Sequence, residues 1–141
     1  MTNYQHILLA TDFSDASRTA AGKARDLAQR CETRLSVIHV VDYTPPGYLT
    51  EYPVPRDHLI NTARDYLDTW LQQVDLRPDT KWVEVGSPKK EIARAAQEQG
   101  VDLLVVGTRG EGALGRLLGS TTTGVLHSAP CDVLAVRGAP D

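Results

Sequence analysis

The residues best placed to do chemistry in this 141-residue chain lie between positions 103 and 121. Leu103-Leu104-Val105-Val106 is a branched apolar run, the pattern of a strand buried on both faces. The segment after it, Gly107-Thr108-Arg109-Gly110-Glu111-Gly112-Ala113-Leu114-Gly115-Arg116-Leu117-Leu118-Gly119, carries five glycines. Gly119-Ser120 then forms a good N-cap pair for a following helix. A buried strand, a glycine-rich turn and a helix start make an anion site. Glycine lets backbone N–H groups face a ligand with no Cβ in the way. The helix start adds unpaired N–H groups and the positive end of a dipole. The chemistry implied is that of a phosphate cradle. It is not the common P-loop, because Gly119 rather than lysine precedes Ser120, and the nearby cations are Arg109 and Arg116. It is not the dinucleotide fingerprint either, since these glycines follow the fourth strand rather than the first.

The elements that must position this loop are readable in order. His6 to Thr11 is a first apolar strand, ended at Asp12-Phe13-Ser14-Asp15, where Ser14 can cap a helix. Ala20, Ala24, Leu27, Ala28 and Cys31 recur at helical spacing, and the alanines allow close packing on a sheet. Arg34 to Val41 suits a second strand. Asp42 to Arg56 holds Pro45, Pro46, Gly47, Pro53 and Pro55 and reads as an irregular loop, with Tyr43, Tyr48 and Tyr52 packing it down. Leu59, Ile60, Ala63, Leu67, Trp70, Leu71 and Val74 mark a second helix. Thr80 to Val85 is a third strand. Ser87-Pro88 opens a third helix with inner face Ile92, Ala95, Ala96 and Gln99, closed by Gly100. The helix from Ser120 to about Ser128 is built of poor helix formers, so its position matters more than its propensity. Asp132 to Val136 is the fifth strand. Alternating strands and helices give a parallel sheet covered on both faces with right-handed crossovers. Ligands bind such sheets beyond the carboxyl ends of the strands, where the order reverses. Asp12, the Val40–Asp42 edge and the glycine loop all arrive there, a set that fits a nucleotide better than a bare anion.

Length and composition set the bounds. The chain reads as one domain, 1–141, long enough to bury about 68–70% of its unfolded surface. A net charge of −3 argues against a nucleic-acid surface, and Lys89-Lys90 reads as a solvated helix face. No apolar run approaches the ~18 residues of a membrane span, and no signal-peptide pattern precedes the first strand. A cytoplasmic protein is the expectation. Cys31 and Cys131 are far apart, with no histidine at metal spacing, and read as small buried hydrophobes in a reducing compartment.

Several segments together resemble the universal stress proteins. These are Ala10-Thr11-Asp12-Phe13-Ser14, His39-Val40-Val41-Asp42, Val105-Val106-Gly107-Thr108-Arg109-Gly110, Leu117-Leu118-Gly119-Ser120 and Pro130-Cys131-Asp132-Val133-Leu134-Ala135-Val136. The resemblance covers essentially the whole chain. It implies a three-layer α/β/α domain with an open five-stranded parallel sheet, a Rossmann-like nucleotide-binding fold, usually as a homodimer. One branch of the family binds ATP through the pattern G-x-x-G, nine residues, then G-Ser/Thr, and this chain is similar to that branch. Carried over, the resemblance implies that Asp12 and Val40 meet the adenosine part and that Val106 and Gly107 line the ribose, with Ala10 and Thr11 also among the cofactor-binding residues. Gly110, Gly119 and Ser120 would hold the phosphates, with Arg109 and Thr121 in reach. Here eight residues, Glu111 to Leu118, separate Gly110 from Gly119. Gly112 and Gly115 can let the shorter loop close with the same ends.

Catalysis is less indicated. His6, His39, His58 and His127 show no spacing that pairs them with a nucleophile, and His39 reads as a satisfied strand histidine. Asp12 and Asp42 could assist Mg²⁺, but no residue is an evident water-positioning base. No catalytic residue is assigned. The expectation is an adenine-nucleotide module of stress response or signalling, using ATP with Mg²⁺ and at most slow hydrolysis. The alternative is a nucleotide-acting enzyme of the same fold, catalysing slow ATP hydrolysis or adenylyl or phosphoryl transfer. A phosphoacceptor receiver domain is excluded by Asp12, Gly86 and Arg137 where paired acids, an aspartate and a lysine would stand. The last strand, Cys131 to Arg137, reads as a sheet edge that a second copy would pair with.

Overall fold

The apolar runs become five parallel strands, and the segments between them become four helices. The computed structural model describes residues 4–42, 55–108 and 119–138. The elements run β1 (His6–Ala10), α1 (Asp15–Cys31), β2 (Arg34–Val41), α2 (Arg56–Gln73), β3 (Thr80–Val85), α3 (Pro88–Glu98), β4 (Leu103–Thr108), α4 (Gly119–Ser128) and β5 (Asp132–Arg137). The sheet order is β3-β2-β1-β4-β5, and every neighbouring pair is parallel.

Alternation along the strands divides the core. Ile7, Leu9, Leu35, Val37, Leu103 and Val105 face α1 and α2, where Ala20, Ala21, Ala24, Leu67, Trp70 and Leu71 meet them. Leu8, Ala10, Ile38, Val40, Leu104 and Val106 face the other way, onto Ile92 and Ala96 of α3 and Val125 of α4. β1 is buried along its whole length. A strand flanked by strands and covered on both faces has no solvent side, which is why its sequence does not alternate.

The helix ends follow from local chemistry. Ser14 caps α1, its Oγ accepting the Ser17 N–H at 3.1 Å. Glu32 closes that helix in the left-handed region. Pro88 opens α3 after Ser87, although the Ser87 side chain makes no capping bond, and Gly100 follows at φ +67°. Three readings of the sequence are corrected here. Helix α4 begins at Gly119, so Ser120 stands inside its first turn rather than at the cap. Gln99 is exposed rather than on the inner face of α3, and its carbonyl accepts the Nδ1–H of His6. Cys31 and Cys131 are unpaired and half-buried rather than buried. Burial pushes the Cys131 thiol above its ordinary value.

Weak intrinsic helicity does not prevent α4 from forming. Val125 is fully buried against α3 and the sheet, and tertiary packing outweighs propensity. Gly124 lies under the stem of Lys89, where a Cβ would come within 2.6 Å of Cδ. Lys89 is therefore a packing residue between α3 and α4 as well as a solvated cation.

One contact positions the carboxyl edge of the sheet. A Cβ on Gly107 would stand 2.6 Å from the Ala16 carbonyl carbon, 2.7 Å from its oxygen and 2.8 Å from the Ser17 nitrogen. Backbone sits against backbone, and neither side can yield by a rotamer change. Gly22, inside α1, meets only Arg25 Nη2 at 3.8 Å. The two glycines should respond in opposite directions. Gly107→Ala should lower stability by about 1–3 kcal/mol through overpacking, while Gly22→Ala should raise it by about 0.5–1 kcal/mol through helix propensity. Urea titrations of both variants check this. A neutral Gly107→Ala would mean that α1 does not approach β4 so closely.

Candidate functional site

The chain leaves β1 for α1 on one face of the sheet and leaves β4 toward α4 on the other. Between β1 and β4 the strand order reverses, and a crevice opens beyond their carboxyl ends. A cleft of about 370 Å³ lies there, within the usual range for small-molecule sites. Its floor is apolar, made by Ala10, Ile38, Val40, Val106 and Ile92, and Thr11, Asp12, Ser17, Asp42 and Pro88 reach its walls.

The turn from Thr11 to Ser14 forms one wall, and nearly all its polar groups have partners. Thr11 extends β1 by giving its N–H to the Ile38 carbonyl at 3.0 Å. Its own carbonyl accepts the Nδ1–H of His39 at 2.8 Å, and its Oγ1 accepts the Phe13 N–H at 3.0 Å. Asp12 Oδ1 accepts the Ser14 N–H at 3.0 Å and the Ser17 hydroxyl at 2.8 Å. The Asp12 N–H in turn donates to Ser17 Oγ at 3.2 Å. The carboxylate is thereby fixed at the N-terminus of α1, where the helix dipole favours negative charge. Phe13 takes φ +67°, a region that costs a residue with a Cβ roughly 1–2 kcal/mol.

Six of the residues singled out from the sequence come together in this cleft: Ala10, Thr11, Asp12, Val40, Val106 and Gly107. Arg109 and Gly110 lie outside the described residues, as do Tyr43, Tyr48 and Tyr52. Gly119, Ser120 and Thr121 are the first three residues of α4. Gly107 belongs to β4 itself rather than to the loop, and its lack of a side chain serves the approach of α1. The sequence reading missed Ser17, Pro88 and Ile92. The signals were present: Ser17 stands three residues after the Ser14 cap, and Pro88 and Ile92 share one face of α3 at the end nearest the strand termini.

Two carboxylates, Asp12 and Asp42, reach the cleft. Among the described residues, no three His, Cys, Asp or Glu side chains gather as a metal cluster. The donor set suits a hard cation that takes one or two carboxylates and completes its shell with water and phosphate oxygens, as Mg²⁺ does. It does not form a closed protein cage. No helix of the described residues is long and apolar enough to cross a membrane.

Comparison with known proteins agrees with this architecture. The profile of the Universal stress protein family matches residues 3–137. The chain is 36% identical over 143 residues to universal stress protein A homolog 2 of Coxiella burnetii, covering 97% of each chain. Its fold is similar to that of the universal stress protein UspA from Lactobacillus plantarum, with a TM-score of 0.75, 30% identity and coverage of 97% of this chain and 100% of that one. It is also similar to a universal stress protein solved in complex with cAMP, with a TM-score of 0.66, 28% identity and coverage of 98% and 100%.

Two histidines tie the strands at either end of the sheet. His39, beside the cleft, gives its Nδ1–H to Thr11. His6 is buried at the far end, with Nδ1 donating to the Gln99 carbonyl at 3.1 Å and Nε2 accepting the Ser36 hydroxyl at 2.7 Å. Burial lowers both from the ordinary value of 6.5, chiefly by disfavouring the charged ring, and the carbonyl bonds oppose this only in part. A lowered folded-state value means that the neutral ring stabilises the fold. That contribution is fully present above pH 6.5 and is lost as pH falls through the folded-state values. Ring-proton NMR titration should place both midpoints below 6.5, with stability falling on acidification over the same range. A midpoint at or above 6.5 for either ring contradicts the assignment.

Proposed function

The chain belongs to the universal stress protein family, and from that premise we propose that its cleft binds an adenine nucleotide, ATP with Mg²⁺. The observation that carries this reading is the cleft itself. It lies at the reversal point of a parallel sheet, is floored by aliphatic side chains, and is walled by the fixed Asp12 turn. A flat, apolar base fits the floor between Val40, Ile92 and Val106, and a ribose fits beside Asp12 and Gly107. The relative solved with cAMP supports an adenine nucleotide as the ligand class. The phosphates extend toward Arg109, Gly110, Gly119, Ser120 and Thr121, following the glycine pattern of the sequence. When bound, Mg²⁺ neutralises phosphate charge, and Asp12 and Asp42 are the carboxylates that would hold it. The protein acts as a stress-response or signalling module whose bound state alters its partners, with no dedicated turnover.

A ligand that binds only the folded state at about 100 times its Kd adds about 2.7 kcal/mol of stability. Thermal melts with ATP, cAMP, AMP and GTP should show a rise for adenine nucleotides and the largest rise for Mg-ATP. Gly110→Val should remove the advantage of ATP over AMP while leaving AMP binding intact. No shift with any nucleotide at millimolar concentration contradicts the reading.

The same reading includes a homodimer through β5. The two sheet edges differ in chemistry. β3 carries Lys81 paired with Asp68, and Glu84 within 3.9 Å of Arg94, charges that discourage a further strand. The middle of β5 is Val133-Leu134-Ala135-Val136, with Ala135 exposed in this chain. A second copy meeting it about a two-fold axis would pair both edges. Light scattering should give twice the chain mass for the native protein and the single-chain mass for Ala135→Glu, with the same circular dichroism. A native monomer at high micromolar concentration contradicts the dimer.

A further inference from the structure

We propose that Phe13 is a positioning residue for the cleft, its ring holding the Thr11–Ser14 turn in the backbone shape that presents Asp12 to a bound nucleotide. The inference rests on the reading of the cleft as a nucleotide site. It begins from a local conflict: at φ +67° a glycine, asparagine or aspartate would be easier, yet the chain places a bulky aromatic residue there. Such strain persists only where surrounding structure over-determines it.

That surrounding structure is an aromatic clamp. The Phe13 ring lies 4.2 Å from His39, tilted by 34°, 4.7 Å from Tyr66, and 5.7 Å from Trp70 in an edge-on arrangement. These partners come from β2 and α2, so two separate elements grip a residue of the loop after β1. His39 is also the residue whose ring N–H holds the Thr11 carbonyl. The Phe13 N–H closes the circuit by donating to Thr11 Oγ1. Ring stacking, one imidazole bond and one hydroxyl bond therefore fix the residues on both sides of Asp12. The left-handed residue sends consecutive side chains to different places. Phe13 packs with the α1 and α2 core, while Asp12 lines the cleft. The bonds from Ser14 and Ser17 hold the Asp12 carboxylate; Phe13 holds the backbone that carries it.

The test measures the Kd for Mg-ATP by calorimetry and the His39 ring N–H resonance by NMR in four variants. Phe13→Ala loses the ring and keeps the Cβ cost. It should weaken Mg-ATP about tenfold or more and lose the slowly exchanging His39 signal. Phe13→Gly loses the ring but accepts the positive φ, and should bind more tightly than Phe13→Ala. Phe13→Tyr should stay within about threefold of the native protein and keep the His39 signal. Tyr66→Ala removes a largely exposed wall of the clamp, should leave the core folded and should weaken binding by about threefold. Native-like affinity in Phe13→Ala, or Phe13→Gly binding no better than Phe13→Ala, would overturn the inference and leave the nucleotide site standing. If Phe13→Ala fails to fold, unchanged affinity in both Phe13→Gly and Tyr66→Ala would overturn it in the same way. A native protein that binds no adenine nucleotide would overturn the reading of the cleft and this inference together.

Discussion

The close approach of α1 to β4 at Gly107 is the constraint on which the rest of the carboxyl edge depends. With a hydrogen in place of a side chain, the first turn of α1 settles directly against the strand across the point where the sheet order reverses. That contact brings Ser17, and with it the Asp12 carboxylate, to the mouth of the crevice. A larger residue at 107 would lift α1 away from the sheet and open the polar network of the Asp12 turn to water. Packing and site geometry are here one interaction seen from two sides.

Given that contact, few other groups are needed. The cleft floor consists of strand residues whose main task is to fill the core between the sheet and α3. Its polar groups lie in the wall, where Thr11, Asp12, Ser14, Ser17 and His39 satisfy one another. A network closed in this way is pre-organised, so a ligand spends little of its binding energy on ordering the protein. His39 is engaged by a backbone carbonyl and the tilted ring of Phe13, and the carboxylate of Asp12 is tied to α1. Both groups hold a shape.

Much of the fold was legible in the residues. β2 and β3 match their sequence limits, β2 as an apolar run and β3 as an alternation of Trp82 and Glu84 with Val83 and Val85. The Ser14 cap was legible because a serine just ahead of an alanine-rich apolar face has few other roles. The edge position of β5 followed from its being the last strand of the chain, short and apolar. Other features were not readable, for physical reasons. Gly107 read as the first glycine of the phosphate-binding turn, because its packing role depends on the backbone of Ala16, about ninety positions earlier in the chain. The positive φ of Phe13 carried no signal, since phenylalanine is a residue from which such a backbone would not be inferred. Lys89 looked like a solvated cation because its packing on Gly124 joins two helices that are separate in sequence. Pro88 and Ile92 were read as a helix start and a core face, and both remain so. Their further place at the cleft came only from the sheet order.

The central claim is that an adenine nucleotide occupies the crevice between the ends of β1 and β4. The most direct measurement is a backbone amide chemical-shift map of the labelled protein titrated with Mg-ATP. The account predicts saturable shifts at residues 10–12, 40–42, 89–92 and 106–107, with no comparable response in the groove between α1 and β5, lined by Thr19, Lys23, Leu27, Arg30, Leu134 and Arg137. Shifts concentrated in that groove, or no saturable shift anywhere, would contradict it.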